Sequence, residues 1–254
     1  MTVEQLALLF GLGLLAGFIN IMAGGGSTLT LPALILLGLD SATANGTNRL
    51  AIFIQNIFAI SSFRKRNVHQ FRESLKLAVW TLPGALIGAF FAVKISDVWF
   101  QRILGVVIIG VVISLFVPVT GSGAHTDEHS RVEKRWPVYL ALLGIGFYGG
   151  FVQAGVGFLI MAALYHLLKI DLIRVNMHKV FIVFIYMFPT LLIFVFTHHV
   201  HYLYGLALAA GNATGAWWSA KVQVRGGEKV VRWALAAALL LMAAKMLGVL
   251  EYIF

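Results

Sequence analysis

The stretch GFINIMAGGGSTLTLPALILLGLDSATANGTNRLAIFIQN, residues 17–56, decides the fold of this chain. Three consecutive glycines, Gly24, Gly25 and Gly26, separate two apolar segments, and a helix continues through such a run only at a cost in free energy. Backbone groups freed at bilayer depth are tolerated only where protein buries them or where they line a water-filled cavity. The glycines therefore predict a broken helix and a candidate solute site.

The composition is that of a protein that crosses a membrane several times. Hydrophobic residues make up 60% of the 254 positions, charged residues 11%, and the mean hydropathy is +0.90. Soluble domains contain about 45–50% apolar and about 25% charged residues. Apolar runs recur along the whole chain, so no soluble catalytic domain fits. The first run, residues 6–23, lacks the basic start and cleavage site of a signal peptide and is expected to be retained.

Charge, cysteine content and motifs exclude several classes of function. The net charge is +9, but the basic residues cluster at the ends of apolar segments, where cytoplasmic retention explains them, so no nucleic-acid partner is expected. The sequence has no cysteine, which excludes disulfides and thiolate sites. It also lacks the P-loop, HExxH and GxSxG motifs. We therefore predict no enzyme activity, cofactor or metal.

Ten apolar segments can be distinguished, and two are too short to cross a bilayer alone. A span needs about 20 helical residues, whereas the second and seventh segments are shorter and each follows a glycine break. We expect an all-α polytopic membrane protein with about eight full transmembrane helices and a short arm in each half that either crosses or re-enters. The segments are residues 5–23, 28–39, 46–63, 74–94, 101–119, 137–153, 156–168, 177–197, 202–220 and 231–250.

The two halves of the sequence resemble each other. We divide the chain into a first membrane repeat (1–119), a cytoplasmic linker (120–136) and a second membrane repeat (137–254). The GxxxG pairs inside the repeat favour close helix packing. The matching pairs, in the same order along both halves, are AGGGS (23–27) and AGVGF (154–158), Asp40 and Asp171, Asn45 and Asn176, and GALIGAFFAVKI (84–95) and GNATGAWWSAKV (211–222).

Charge predicts that the second repeat is inverted. If each broken helix and its short arm count as two passes, a repeat has five passes, and an odd number inverts the next copy. All four basic clusters then lie in the cytoplasm, and both chain ends and the turn at 197–201 lie outside. The clusters are Arg64, Lys65, Arg66 and Arg72; Arg131, Lys134 and Arg135; Lys169, Arg174 and Lys179; and Lys221, Arg225, Lys229 and Arg232.

Polar residues around the two breaks are candidates for binding a solute. The free N–H groups and positive dipole end of a helix start attract an anion. A cation inside a span, such as Arg49, is a functional candidate by default, although snorkelling is the alternative for Arg49 and Lys179. Interhelical bonding is the alternative for the amides, and close packing is the alternative for the glycines, although three in a row flanked by Asn20 and Ser27 are more than packing needs. Gln55 and Asn56 lie about two turns beyond Arg49 and could continue a polar stripe. The substrate-binding candidates are Asn20, Gly24, Gly25, Gly26, Ser27, Thr28, Asn45, Asn48, Arg49, Gln153, Gly155, Gly157, Asn176, His178 and Lys179.

The scarcity of acidic residues in the apolar segments favours an anionic solute. Asp40 and Asp171 stand at segment ends, where N-caps or loop residues are expected, whereas a cation carrier or proton pump would place carboxylates at membrane depth. The histidines at 198, 199 and 201 lie in a short turn without a neighbouring carboxylate in the sequence, so a metal site is not predicted.

The run AGGGS, followed by Pro32 and by LGLDSATANGTN (37–48), resembles the TauE/SafE sulfite-exporter family of membrane permeases. The second copy, at 149–157 and 169–176, is similar but weaker because it has only two of the three glycines. The resemblance covers nearly the whole chain. It implies a permease of the bacterial inner membrane for a small sulfur-containing or carboxylate anion, such as sulfite, sulfoacetate or another organosulfonate.

Several functions remain open at this point. We favour a secondary transporter that moves a small oxyanion by alternating access, with the broken arms and Arg49 forming the site. A membrane-embedded enzyme or accessory subunit is the alternative, but it needs a nucleophile with a base, or a metal triad, within the spans, and the sequence offers neither. A passive anion channel is not separated from a carrier by sequence. Carriers of this plan are commonly dimers, and only this analogy bears on whether the protein forms a homodimer.

Overall fold

The computed structural model describes residues 2–65, 70–116, 136–170 and 172–222, and within these ranges the regular structure is entirely helical. Most of the linker and the last apolar segment, 231–250, lie outside the described residues. The helices are α1 (Val3–Ala23), α2 (Ser27–Leu36), α3 (Ser41–Lys65), α4 (Phe71–Ala92), α5 (Asp97–Phe116), α6 (Trp136–Phe151), α7 (Val156–Leu168), α8 (Leu172–Phe196) and α9 (Tyr202–Val222).

The helices follow the predicted apolar segments closely, and α7 coincides with segment 156–168. Among the described helices, three are long and apolar enough to cross a membrane, namely α1, α4 and α8 over Val3–Ile21, Phe71–Ala92 and Ile173–Phe196. The chain is therefore an all-α membrane protein with several spans. The expectation of about eight full spans is not confirmed by these helices and stays a prediction.

Helix α1 of the first half packs along α9 of the second half. Gly211 lies against the backbone of Phe10 and Leu14, and Gly215 against that of Leu14 and Phe18. Residue numbers rise together along both helices, so α1 and α9 run parallel. The absence of a Cβ at these glycines lets the two backbones approach closely, as the GxxxG spacing predicted.

Helices α4 and α6 repeat this arrangement with the halves exchanged. Gly84 lies against the backbone of Leu143 and Phe147, and Gly88 against that of Phe147 and Phe151, so α4 and α6 are also parallel. In each half, the long helix before the glycine break packs on the GxxxG helix of the other half. The predicted close packing of both GxxxG pairs is confirmed.

The remaining long helices cross the centre between these pairs. Phe53 of α3 stacks on Phe184 of α8 with ring centroids 5.1 Å apart, while Gly46 lies against Phe194, so α3 and α8 are antiparallel. Directly before α9, the backbone N–H of His201 donates to Thr47 Oγ1 of α3 at 2.9 Å, and Gly205 of α9 lies against Thr47 and Leu50.

The short helices α2 and α7 each fold back on the helix that follows. Thr30 of α2 donates to Asn48 Oδ1 of α3 at 2.6 Å, and Met161 Sδ of α7 contacts Lys179 Nζ of α8 at 3.8 Å. Residues 27–34 of α2 are all buried, so the helix is enclosed by protein as a short arm at membrane depth requires.

Candidate functional site

The two glycine breaks meet each other at the centre of the molecule. Gly24, which ends α1, and Gly155, which precedes α7, both have the left-handed backbone conformation, with φ of +85° and +70°. A Cβ added at Gly24 would lie 2.6 Å from the backbone of Gly157, and one at Gly157 would lie 2.3 Å from that of Gly24. Glycine is therefore required on both sides of this contact.

Hydrogen bonds connect the two breaks across the contact. Ser27 Oγ donates to the carbonyl of Gln153 at 3.1 Å and accepts from the N–H of Gly155 at 3.4 Å. Gln153 itself has a φ of +67°, rare for a residue with a side chain. Its Oε1 accepts a hydrogen bond from Tyr186 at 3.1 Å, and the hydroxyl of Tyr148 bonds to the carbonyl of Ala154. These contacts hold the second break in place.

A small cavity lies beside the meeting point of the breaks. The cavity has room for about one water molecule. None of the residues that line the cavity is Asp or Glu. Five of them were candidates from the sequence: Asn20, Ser27, Gln153, Gly157 and Lys179. The full lining is Asn20, Ile21, Ser27, Ile52, Asn56, Gln153, Val156, Gly157, Lys179, Val180 and Val183.

Both short helices begin at this cavity. Ser27 and Val156, the first residues of α2 and α7, belong to its lining. Neither helix has a hydrogen-bonding side-chain cap. The positive dipole ends of two helices therefore face the same small space, which favours negative charge there.

Lys179 supplies a basic amino group to the cavity wall, and this group is positively charged when protonated. Its side chain is 3% exposed, so the alternative of snorkelling to the interface is wrong. Its Nζ donates to the carbonyl of Asn20 at 2.9 Å and contacts Met161 Sδ at 3.8 Å. An ammonium group has three N–H donors, so one donor remains without a partner in the described part of the protein.

Arg49 is fully buried, but it does not line the cavity. The terminal nitrogen Nη1 donates to Thr190 Oγ1 at 3.2 Å. The other terminal nitrogen, Nη2, donates to the carbonyl of Gly149 at 3.1 Å and to that of Gly150. The guanidinium also lies over the ring of Phe194, 4.8 Å from its centroid. Snorkelling is therefore wrong for Arg49 as well, because the side chain binds the last turn of α6.

The broken helices are capped by residues of the opposite half. Beside Arg49, Asn45 of α3 donates to the carbonyl of Phe151, at 2.8 Å, in the last turn of α6. Beside Lys179, Asn176 of α8 donates to the carbonyl of Ile21, at 2.9 Å, in the last turn of α1. The last carbonyls of a helix have no partner within the helix, and a cation at that end also stabilises the helix dipole.

The other candidates lie close to the breaks without lining the cavity. Thr28 donates to the carbonyl of Gly25, and His178 Nδ1 lies 2.8 Å from Ser74 Oγ, away from the cavity. The candidates outside the lining are Gly24, Gly25, Gly26, Thr28, Asn45, Asn48, Arg49, Gly155, Asn176 and His178.

Asn56 is a cavity residue that was not among the site candidates. It is 2% exposed, and its Nδ2 has no hydrogen-bond partner among the residues that the structure describes. Its distance of about two turns from Arg49 was the signal that could have identified it. The sequence alone does not show whether Arg49 or Asn56 faces the break, because that depends on the rotation of α3 against α8.

The turn between α8 and α9 lies close to the start of α3. Asp40 is the N-cap of α3, as expected, because its Oδ1 accepts from the N–H of Thr43 at 2.9 Å; Asp171 lies outside the described residues. Partial burial raises the pKa of Asp40, but hydrogen bonds from Thr43 and the charge of His199 bring it below its ordinary value.

Across the described ranges, no group of three or more His, Asp or Glu residues is arranged to hold a metal.

Comparisons with known proteins agree with this membrane architecture. The family profile described as "Sulfite exporter TauE/SafE" matches residues 9–246. A "Probable membrane transporter protein" of Haemophilus influenzae is 27% identical over 96% of this chain and 95% of its own length. The "Probable membrane transporter protein ORF9" of Sinorhizobium sp is 27% identical, covering 96% and 92%. The "Probable membrane transporter protein YfcA" of Escherichia coli K12 is 27% identical, covering 95% and 89%.

No solved structure matches the chain. The family profile, by contrast, covers all of the described helices except the first few residues of α1. The chain therefore belongs to the TauE/SafE sulfite exporter family.

Proposed function

We propose that this protein is a secondary transporter that carries sulfite or a small organosulfonate across the bacterial inner membrane by alternating access. Membership of the family makes it a membrane transporter rather than an enzyme. The observation that carries the proposal is the cavity at the meeting point of the breaks. Two helix N-termini, the amino group of Lys179 and three carboxamides surround it, and no carboxylate among the described residues does. This set of groups is complementary to a small oxyanion, which needs more room than the one water molecule that the closed cavity holds and therefore enters when the two breaks move apart.

The helix directions support an inverted repeat. Helices α1 and α3 run parallel to α9. Helices α4, α6 and α8 run in the opposite direction. Among the described helices, α1, α3 and α4 therefore have counterparts of opposite direction in α6, α8 and α9. In transporters of this plan, broken helices meet near the midplane and the solute binds between the repeats. The cavity here is lined by residues of both halves of the chain, which supports the proposal.

The charge distribution supports the proposed orientation. The described basic residues concentrate where α3 and α7 end and where α4 and α8 begin, and the positive-inside rule assigns that end to the cytoplasm. The acidic residues Glu4, Asp40 and Asp97 lie near helix starts at the opposite end. The basic residues at the proposed cytoplasmic end are Arg64, Lys65, Arg72, Lys76, Lys169 and Arg174.

A flux measurement with one cavity variant tests this function. The purified protein is reconstituted into proteoliposomes, and the uptake of labelled sulfite is followed with and without unlabelled sulfite inside. We expect saturable uptake that internal sulfite accelerates, as counterflow through a carrier requires. Lys179→Gln should reduce the uptake at least about tenfold, because a charged hydrogen bond to the solute is lost.

Lys94→Gln is the matched control, since Lys94 is exposed at the end of α4 and does not touch the cavity. It should leave uptake unchanged. Uptake without saturation or counterflow would indicate a channel. Equal uptake by the Lys179 variant and the control, or no flux of sulfite, sulfoacetate, taurine, thiosulfate or sulfate, would refute the proposed carrier and its site.

A further inference from the structure

We propose that the site selects oxyanions that carry no positively charged group, so that it binds a sulfonate such as isethionate and rejects the zwitterion taurine. The two compounds have the same two-carbon sulfonate and differ only in a terminal hydroxyl or ammonium group. This inference rests on the proposed function and defines the class of its substrate.

The donors of the cavity account for the oxyanion end of such a solute. Lys179 has a spare N–H donor, and Asn56 Nδ2 is a buried donor without a partner. Both residues line the same space, beside the first residues of α2 and α7. A buried donor without an acceptor is costly, and a sulfonate oxygen would provide the missing acceptor for Asn56.

Among the described residues, the cavity offers an ammonium group no carboxylate. Two of its neutral acceptors already accept a hydrogen bond, the carbonyl of Asn20 from Lys179 and Oε1 of Gln153 from Tyr186. The side-chain oxygens of Asn20 and Asn56 are neutral as well, and Ile52, Val180 and Val183 are apolar. A second cation would therefore be desolvated without an opposite charge and repelled by Lys179.

Arg49 does not change this balance, although it is the other buried cation of the centre. It lies outside the lining, and its two terminal nitrogens are bonded to Thr190, Gly149 and Gly150. Its Nε has no hydrogen-bond partner among the described residues, but the side chain lies outside the cavity lining, so its charge adds to the repulsion of an ammonium group.

The test compares isethionate and taurine on the purified full chain. Binding is measured by the rise of the melting temperature with ligand concentration, and also by competition against labelled sulfite in proteoliposomes. We expect the dissociation constant of taurine to exceed that of isethionate by at least about tenfold, because discrimination follows from the unpaired ammonium. Affinities equal within twofold would overturn this inference and leave the proposed transport intact. If sulfite binds and neither organosulfonate does, the inference also fails.

A variant pair tests whether the missing carboxylate is the cause. Asn56→Asp puts a carboxylate into the wall and should shift the ratio of affinities towards taurine by at least about tenfold. Gln55→Glu is the matched control, because Gln55 is equally buried on the same helix but does not line the cavity. An unchanged ratio in a folded Asn56→Asp protein, or an equal shift in both variants, would overturn the assignment. If that variant does not fold, the comparison on the native chain decides.

Discussion

Replacement of Arg49 by Gln should destabilise the protein more than it weakens solute binding. Arg49 donates to the carbonyls of Gly149 and Gly150, and neither carbonyl accepts another hydrogen bond within the described structure. An acceptor left buried and unpaired costs about 1–3 kcal/mol, which gives roughly 2–6 kcal/mol for two. Side-chain hydrogen bonds in membrane proteins average only about 0.6 kcal/mol, so we take the low end, about 2 kcal/mol.

Lys179 provides the matched comparison, because its acceptor is not left alone when the side chain is removed. The carbonyl of Asn20 also accepts from the N–H of Gly24 at 2.9 Å. Lys179→Gln should therefore cost less than about 1 kcal/mol. It should nevertheless weaken the affinity for sulfite at least about tenfold, because its ammonium faces the cavity.

The assay is a thermal unfolding series of both variants in the same detergent, with a sulfite titration of each. A change of 1 kcal/mol shifts the melting temperature of a chain of this size by about 2–4 °C, so Arg49→Gln should melt about 4–8 °C lower. Its affinity for sulfite should stay within about threefold of that of the unsubstituted chain. Arg49→Lys should recover about half of the stability that Arg49→Gln loses. It keeps the charge at the end of α6, but a single ammonium nitrogen cannot donate to all of the acceptors that the guanidinium reaches.

The opposite pattern would refute this reasoning. An Arg49→Gln protein that melts at the original temperature and no longer binds sulfite would make Arg49 a direct ligand, as the sequence suggested, and not a residue that positions α6.

Two further predictions concern packing and pH. Gly215→Ala should lower the melting temperature by several degrees, because its Cβ would lie 1.9 Å from the carbonyl oxygen of Leu14; Gly110→Ala, where nothing lies within 4 Å, should leave it equal or higher. Equal effects would contradict the close α1–α9 contact. Asp40 has a pKa below its ordinary 3.8, so its N-cap contribution is present above that pH and is lost as pH falls through the folded-state pKa. The melting temperatures of the unsubstituted chain and of Asp40→Asn should therefore differ at neutral pH and converge as the pH falls below 3.8. A difference that persists unchanged into acid would contradict the role of the bond from Thr43 to Asp40.

The positions of the breaks could be predicted from the sequence because they follow from local chemistry. Three glycines disfavour helix regardless of their surroundings, and the structure ends α1 at Ala23 and begins α2 at Ser27. The weaker signal of Gly155 and Gly157 was supported by its correspondence with the first half. Helix bounds were also predictable, because apolar runs at bilayer depth leave the backbone no other way to satisfy its hydrogen bonds.

The roles of the two cations could not be predicted in the same way. Arg49 and Lys179 both stand in polar runs just after a short arm, so the same two interpretations, a buried site residue or a snorkelling cation, applied to each. Which cation reaches the cavity depends on the rotation of α3 and α8 about their axes. It also depends on where α1 and α6 end, because Lys179 donates to a carbonyl at the end of α1 and Arg49 to carbonyls at the end of α6. Those ends come from the other half of the chain, and a pattern within one segment carries no information about them.

The capping contacts also restrict how the protein can open. Separation of α3 from α6 would free the carbonyls of Gly149, Gly150 and Phe151 together, in surroundings where water does not replace the lost donors. The contact between the breaks is weaker, since it consists of glycine backbone packing and two hydrogen bonds of Ser27, at 3.1 and 3.4 Å. A solute that binds in the cavity competes with this weaker contact. We therefore expect access to the cavity to open between the two breaks, with each capped helix end moving together with the helix that caps it.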